Sequence, residues 1–378
     1  MIDIQNNVLG RLQEQVVGPL KGRFVGRDEV IDLIALAVVA GEHLFLYGPP
    51  GTAKSALIRQ FAQAVRGRYF EYMLTRFSEP NEIFGPVDIA RLREGTVVTV
   101  TAGMLPEAEF VFLDELFNAN SAILNNLLTV LNERVYRRGA ETHRLPLLSL
   151  FSASNQLPED DALRALFDRF MLRCHLENLK REQMPQLLSA GWALEHHVAS
   201  ESGVTARDLT GLAARVQSVE LSGVLERYIE AVGKIRDLGV ALSDRRAVKI
   251  LKLIAASAVL CDRDCAAHSD LWVLRYVWDS EEQIAPLAAL VNGMLERDTE
   301  QSARHPLATV HRPTDGEDLA RELDEVEKQV ESGGLSLAAI ARLKERLAEL
   351  GQRATWLPDP ASQSHLLDRI RKRLEELE

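Results

Sequence analysis

The sequence predicts an α/β fold with a mostly parallel sheet, followed by a separate all-helical domain and a charged helical tail. Three observations predict it. Short apolar runs without polar alternation recur between helical patterns in the first half, as strands covered on both faces require. After about residue 200 the β-branched runs disappear and apolar stripes at helical spacing take over. From about residue 315 the chain is highly charged, with apolar residues at heptad steps.

Val30, Ile31, Ile34, Val38 and Val39 mark a helix within Phe24 to His43, and His43 to Tyr47 reads as a buried strand ending in glycine. A helix is expected from Ala56 to Val65, and further strands from Glu109 to Leu113 and Leu147 to Ala153. Between two glycines, the β-branched residues of 95–103 predict a strand or half of a β-hairpin inserted in the α/β unit. Helices follow over Leu221 to Leu238, Asp244 to Leu260 and Glu281 to Leu295. In the tail, Leu319, Leu323, Val326 and Val330, then Ile340, Leu343, Leu347 and Leu350, are interrupted at Ser332 to Gly334, which favours a helical hairpin or small bundle. A final helix is expected from about Ser364 to Leu377. The expected domains are therefore 1–195, 200–300 and 315–378.

The chain has 378 residues, 46% of them apolar, ample for two or three cored domains. Its 44 Lys and Arg against 55 Asp and Glu leave a charge of −11, which gives a nonspecific grip on nucleic acid or anionic lipid no support. Cys174, Cys261 and Cys265 have no C-x-x-C spacing, so neither a disulfide framework nor a zinc site is indicated. The start MIDIQNNVLG lacks the pattern of a secretory signal, and no apolar stretch reaches bilayer-spanning length. A soluble, cytoplasmic protein is expected.

The strongest chemical signal is Gly48, Pro49, Pro50, Gly51, Thr52, Ala53, Lys54 and Ser55, between a strand and a helix. Triphosphate binding needs curved backbone N–H groups, a helix N-terminus, an ammonium between the β- and γ-phosphates and a hydroxyl on magnesium; Lys54 and Ser55 supply the last two. The strict pattern has glycine where Ala53 stands. About sixty residues on, the strand Phe110 to Leu113 ends in Asp114, suited to holding Mg2+ through water, and Glu115, suited to polarising an attacking water. A third strand ends at Asn155, whose amide is placed to hold that water or touch the γ-phosphate. Arg169 stands among apolar residues at a helix end, open to a salt-bridge role as well. Arg245 and Arg246 fall in the first turn of a helix capped by Ser243 or Asp244, where the helix dipole opposes them unless an anion compensates.

These elements, in this order, resemble the AAA+ ATPases over roughly residues 10 to 300. Within them GPPGTAKS, EYMLTRFSEPNEIFGPVDI, TAGMLPEAEFVFLDE and LLTVLNERVYRRG are similar to the MoxR group and its RavA-like branch, where alanine before the lysine is usual. The resemblance implies ATP and Mg2+ as cofactors, Lys54 and Ser55 as Walker A groups, Asp114 and Glu115 as the Walker B pair, and Asn155 as sensor 1. It implies Arg169 as an arginine finger given to a neighbouring subunit, and Arg245, or alternatively Arg246, as sensor 2. Val25, Gly26 and Arg27 resemble the segment contacting adenine, and Thr96 to Thr101 a pore-facing hairpin. Glu133 and Arg134 lie near the subunit boundary in that picture, or form a surface pair. A hexameric ring, a protein client and a partner with a von Willebrand factor A domain are implied as well. A RavA-like protein also carries a mostly β module among C-terminal helices, and no strand-rich segment follows residue 300.

Other residues point more weakly to chemistry. His196 and His197 lack a third metal ligand at suitable spacing. Trp272, Tyr276 and Trp278 suit core or interface packing better than base stacking. Cys261 and Cys265 are expected four apart on one helix, as buried small residues. Two other functions use the same motifs: a nucleotide-switched assembly scaffold with little turnover, and a DNA-associated motor. Glu115, Asn155 and Arg169 together argue against the first, and the acidic charge without a basic stripe against the second.

Overall fold

The computed structural model describes residues 8–138, 141–195, 202–296 and 303–308, then parts of 319–354 and 360–376. It divides into two compact units, Met1–Ala308 and Thr309–Glu378.

The first unit is built on a five-stranded parallel sheet. Its strands are β1 (Leu44–Tyr47), β2 (Tyr69–Met73), β3 (Phe110–Asp114), β6 (Ser149–Ser154) and β7 (Leu172–His175), in the order β2-β3-β6-β1-β7. β1 therefore lies inside the sheet, paired with β6 (Leu44 opposite Phe151) and with β7 (Leu44 opposite Leu172). Because every pair is parallel, all five carboxyl ends share one edge. β6 is buried throughout and β1 and β3 over all but their last residue, so both faces are covered.

Helix α1 (Val8–Leu12) runs through a π-helical turn, Gln13–Val17, into α2 (Gly18–Arg23). Helix α3 (Asp28–Ala40) is buried from Val30 to Ala40, and even its Asp32 is sequestered, with its carboxylate on Lys21 at 2.7 Å. Burying a large aliphatic side chain contributes roughly 1.5–3 kcal/mol, so the near-continuous apolar run of this helix marks an interior position. Gly41, in the left-handed region at φ 62°, turns the chain from α3 into β1.

Helix α4 (Lys54–Ala64) leaves β1 through the glycine-rich loop. The expected β-hairpin near 95–103 is reduced to less than a strand. After α5 (Pro80–Phe84), residues 86–88 meet 98–100 at one antiparallel bridge, Val87 to Thr99, with the Asp88 N–H on the Val98 carbonyl and the Val100 N–H on the Pro86 carbonyl, both 2.8 Å. Pro86 has no N–H with which to extend the ladder, and α6 (Ile89–Arg93) begins at once. A two-stranded antiparallel ribbon forms elsewhere, from β4 (Val135–Arg138) and β5 (Glu141–Arg144), following α7 (Ser121–Glu133).

Beyond α8 (Asp161–Phe167), β7 and α9 (Met184–Glu195) come α10 (Ala206–Val216), α11 (Ser222–Asp237), α12 (Asp244–Leu260), a 3-10 helix His268–Tyr276 and α13 (Ile284–Leu295). Both α10 and α12 pack on α3, which ties these helices to the sheet domain within one unit. Trp272 and Trp278 are fully buried and Tyr276 nearly so; Trp272 stacks on His305 at 4.5 Å and donates to Ser257 Oγ at 2.8 Å, which makes them core residues. Cys261 and Cys265 do not share a helix: α12 ends at Leu260, Asp262 turns the chain at φ 55°, and Cys265 is exposed beside Glu220.

In the second unit Leu319, Leu323 and Val326 pack with Leu343, Leu347 and Leu350, and with Leu366 and Ile370 of α14 (Pro360–Glu376), in one buried cluster. Val330, Ser332 to Gly334, Ile340 and Leu377 lie outside the described residues, as do His196 and His197. Among the described residues no helix is long and apolar enough to cross a membrane.

Candidate nucleotide site

At the carboxyl edge of the sheet the chain leaves β1 through Gly48 and enters α4 at Lys54. Gly48 has φ 149°, and a Cβ there would lie 2.2 Å from the Leu176 carbonyl oxygen; its N–H donates to Ser154 at the end of β6, at 3.1 Å. Gly51 is left-handed at φ 82°. So is Ala53, at φ 63° and ψ 24°, where the strict motif has glycine. The loop geometry is thus kept despite the methyl group, at about 1–2 kcal/mol of strain.

Lys54 is the first residue of α4, and its Nζ donates to the carbonyls of Gly48 (2.7 Å) and Pro49 (2.9 Å) across the loop. Burial lowers its pKa, while Asp114 and Glu115 oppose that shift with their negative charge. Thr52 is buried, its hydroxyl donating to the Pro49 carbonyl at 3.1 Å. Val25 and Gly26 flank the same loop through Arg27, whose guanidinium donates to the Thr52 carbonyl (Nε, 3.3 Å) and the Glu177 carbonyl (Nη2, 3.0 Å). Gly26, at φ 64°, lets Leu179 approach to where a Cβ would be 2.5 Å away.

Asp114 ends β3 and accepts the N–H of Glu115 on its own carboxylate at 3.0 Å. Glu115 has φ 52° and ψ 47°, a second non-glycine residue in the left-handed region at this edge. Its pKa is raised by burial and by neighbouring Asp114, and Lys54 only partly offsets this. Asn155 follows β6 directly and is exposed. Lys54, Ser55, Asp114, Glu115 and Asn155 thus gather at one edge, as parallel strands in this order require.

The arginines lie at the other edge. Arg169 precedes β7 by three residues, and β7 begins opposite Leu44, the first residue of β1. Arg245 is exposed and its Nη2 donates to Asn132 Oδ1 at 2.7 Å in the last turn of α7. Next to Asn132, Arg134 reaches the carbonyls of Gly41 (2.5 Å) and Leu148 (3.3 Å), which lie just before β1 and β6. Arg245 is close enough to Arg169 that its charge, after burial, lowers the Arg169 pKa. At about 3.3 Å per residue, the four residues of β1 alone put roughly 13 Å between this edge and the glycine-rich loop.

Arg246 points inward. It is 1% exposed, and its guanidinium donates to Asp279 Oδ1 (2.7 Å), the Val277 carbonyl (2.8 Å) and the Ala241 carbonyl (3.2 Å). Ser243 caps the helix, accepting the Arg246 N–H. Arg173, equally buried, lies over the Phe167 ring at 3.8 Å and also donates to Asp279 Oδ1. No sequence signal marked Arg173 or Asp279.

A family model described as the MoxR domain in the MoxR-vWA-beta-propeller ternary systems matches residues 10–214, and an AAA lid domain model matches residues 224–291. The chain belongs to the MoxR group of AAA+ ATPases. It is 34% identical over 291 residues to an uncharacterized protein of Methanocaldococcus jannaschii, covering 76% of each chain. To Chaperone MoxR1 of Mycobacterium tuberculosis it is 26% identical over 173 residues, 43% of this chain and 44% of that one. A crystal structure of a candidate ATPase from Cytophaga hutchinsonii superposes with a TM-score of 0.62 at 19% identity, over 77% of this chain and 95% of that one, a likeness of fold. The parallel sheet with its helical lid is the fold of this MoxR-group ATPase.

Proposed function

We propose that this MoxR-group ATPase is a Mg2+-dependent ATP hydrolase working as a homo-oligomeric ring, hexameric by its likeness to the group, in which each site is completed by the neighbouring subunit. The observation that carries the reading is the separation of the two halves. Lys54, Ser55, Asp114, Glu115 and Asn155 stand at the carboxyl edge of the sheet, and Arg169 with Arg245 at the amino edge. One chain cannot bring both to the same phosphate, whereas a head-to-tail ring can.

In this reading Val25, Gly26 and the N–H groups of 51–55 would hold the nucleotide, the Gly48 N–H being spent on Ser154, and Lys54 would bring its ammonium to the phosphates. The donor set suits Mg2+: Ser55 in the first turn of α4 and Asp114 at the end of β3 are hard oxygen donors at the same edge of the sheet. One hydroxyl, Ser55, and one carboxylate, Asp114 acting through water, would hold it beside phosphate oxygens, the arrangement Mg2+ favours. Bound there, Mg2+ would supply neutralisation of phosphate charge. Glu115, its basicity raised, accepts the proton of the attacking water, and Asn155 orients that water. Arg169 acts as the finger, with Arg245, rather than the internally engaged Arg246, as the sensor 2 arginine beside it. An arginine finger in trans accelerates such reactions on the order of a thousandfold or more.

We further propose that turnover remodels or matures a protein client in a cytoplasmic setting with a von Willebrand factor A domain partner. The description of the matched model supports the partner, and the name of the mycobacterial relative supports chaperone-like work. The motif likeness to the RavA-like branch belongs to the same proposal. The test is ATP hydrolysis against protein concentration for wild type, Glu115→Gln and Arg169→Ala, with mass measured in parallel. Specific activity rising with assembly, and two variants that bind ATP without turning it over, support the ring. Equal hydrolysis by a monomer overturns the ring reading, and an assembled wild type with negligible turnover favours the nucleotide-switched scaffold.

A further inference from the structure

Asp279, in the turn after the 3-10 helix His268–Tyr276, collects groups from three parts of the unit. Its Oδ1 accepts from Arg173 of β7 and, at 2.7 Å, from Arg246 of α12; its Oδ2 accepts the Ala241 N–H at 2.6 Å, just before α12. Arg246 continues the chain of contacts, its Nε lying 3.5 Å from Asp168 Oδ1, and Asp168 Oδ2 accepts from Arg169 Nη1 at 3.0 Å. Thus Arg173, Asp279, Arg246, Asp168 and Arg169 alternate in charge from the core of the sheet domain to its amino edge.

Two guanidiniums this close and this buried repel each other, and the carboxylate between them is what makes the approach tolerable. Consistently, Asp279 is held below the usual carboxylate range: burial alone would raise its pKa, and Arg173 and Arg246 outweigh that. Arg246 and Arg245 are consecutive in the first turn of α12, so whatever fixes Arg246 fixes where Arg245 leaves the helix. The same guanidinium, through Asp168, limits the freedom of Arg169.

We propose that Asp279 is a positioning residue for ATP hydrolysis, fixing through Arg246 and Asp168 the spacing of Arg245 and Arg169 on the face given to the neighbouring subunit's nucleotide. This rests on the trans reading above. The Asp279 carboxylate is engaged by Arg173, Arg246 and the Ala241 N–H, none of them in the glycine-rich loop, while its neighbours Trp278 and Glu281 reach Tyr47, the residue before Gly48.

The experiment uses the full chain with Asp279→Asn, and Arg246→Lys as a second variant that keeps the charge and loses the forked geometry. Each is assayed alone and mixed one to one with Glu115→Gln or Arg169→Ala. Alone, each variant is expected to lose at least tenfold in kcat, with KM for ATP within twofold of wild type and assembly mass unchanged. Mixing with Glu115→Gln, which has an intact arginine face, restores about a quarter of wild-type turnover, the share of boundaries that pair a good loop with a good face in a head-to-tail ring. Mixing with Arg169→Ala restores nothing, because both are defective on the same face. Rescue by Arg169→Ala, rescue by neither, or unchanged kcat in both variants overturns the proposal, as does failure of both to assemble. The control mixture of Glu115→Gln with Arg169→Ala separates the two levels: if it gains no activity, the trans reading itself falls.

Discussion

Arg245 Nη2 donates to Asn132 Oδ1 at 2.7 Å, joining the first turn of α12 to the last turn of α7 at the amino edge of the sheet. Its neighbour Arg246 turns the other way, into Asp279 and the buried face of the same helix. Two adjacent arginines thus meet opposite environments. Arg246→Ala should lower unfolding free energy by about 3–5 kcal/mol, because it strips one partner from a buried charge pair. Arg245→Ala should stay within about 0.5 kcal/mol of wild type and lose turnover instead. Urea unfolding beside steady-state kinetics checks the contrast, and equal stability losses would contradict it.

The loop glycines make a graded prediction. Gly48→Ala would drive a Cβ to 2.2 Å from the Leu176 carbonyl, with no flexible group to give way, so about 2 kcal/mol or more of stability should go, along with nucleotide binding. Gly51→Ala meets nothing within 4 Å and carries only the strain of φ 82°, about 1 kcal/mol. Ala53→Gly should stabilise by a similar amount, since it releases a left-handed alanine. Denaturation midpoints of the three variants would rank in that order.

As the proposed general base, Glu115 should set an acid limit on activity. Its pKa is raised by burial and by Asp114, and a general base must be deprotonated, so kcat/KM falls as pH drops through that raised value. The acid limb should therefore lie above 4.5, the ordinary glutamate value. A pH profile of kcat/KM with a limb at or below 4.5 would remove Glu115 from that role.

His43 makes stability depend on pH. Its Nδ1 accepts the Leu150 N–H at 3.1 Å, so the proton sits on Nε2, which donates to the Leu131 carbonyl at 3.3 Å. Burial, with Arg134 and Lys249 nearby, pushes its pKa down to about 3 from 6.5. The unfolded chain then binds the extra proton first, so the stability is full above pH 6.5 and is lost as pH falls toward 3, by about 1.4 kcal/mol per pH unit. His43→Gln should flatten that part of the slope in urea titrations between pH 7 and 5. An unchanged slope would show that His43 is not its source.

Legibility in the sequence followed the physics of each element. β1, β3 and β6 read directly as apolar runs because both faces are covered. β2 and β7 did not. Tyr69–Met73 is an edge strand with a half-exposed Glu71, and Leu172–His175 contains Arg173, whose burial is made possible by Asp279 a hundred residues later. The glycine-rich loop between β1 and α4 was legible because its residues are contiguous, and even Ala53 keeps the left-handed turn. The opposed fates of Arg245 and Arg246 were not, since only tertiary partners distinguish neighbours on one helical turn. The 95–103 segment misled because β-branched residues signal strand propensity, while Pro86 and Gly85 on its partner decide how far pairing extends.

The proposed ring pairs the glycine-rich loop of one subunit with Arg169 of the next. It is tested most directly by mixing Glu115→Gln with Arg169→Ala, each inactive alone, and measuring ATP turnover as the ratio varies. Activity is expected to appear on mixing, peak near equal amounts and vanish at either end. No gain at any ratio, with both proteins shown to co-assemble, would contradict it.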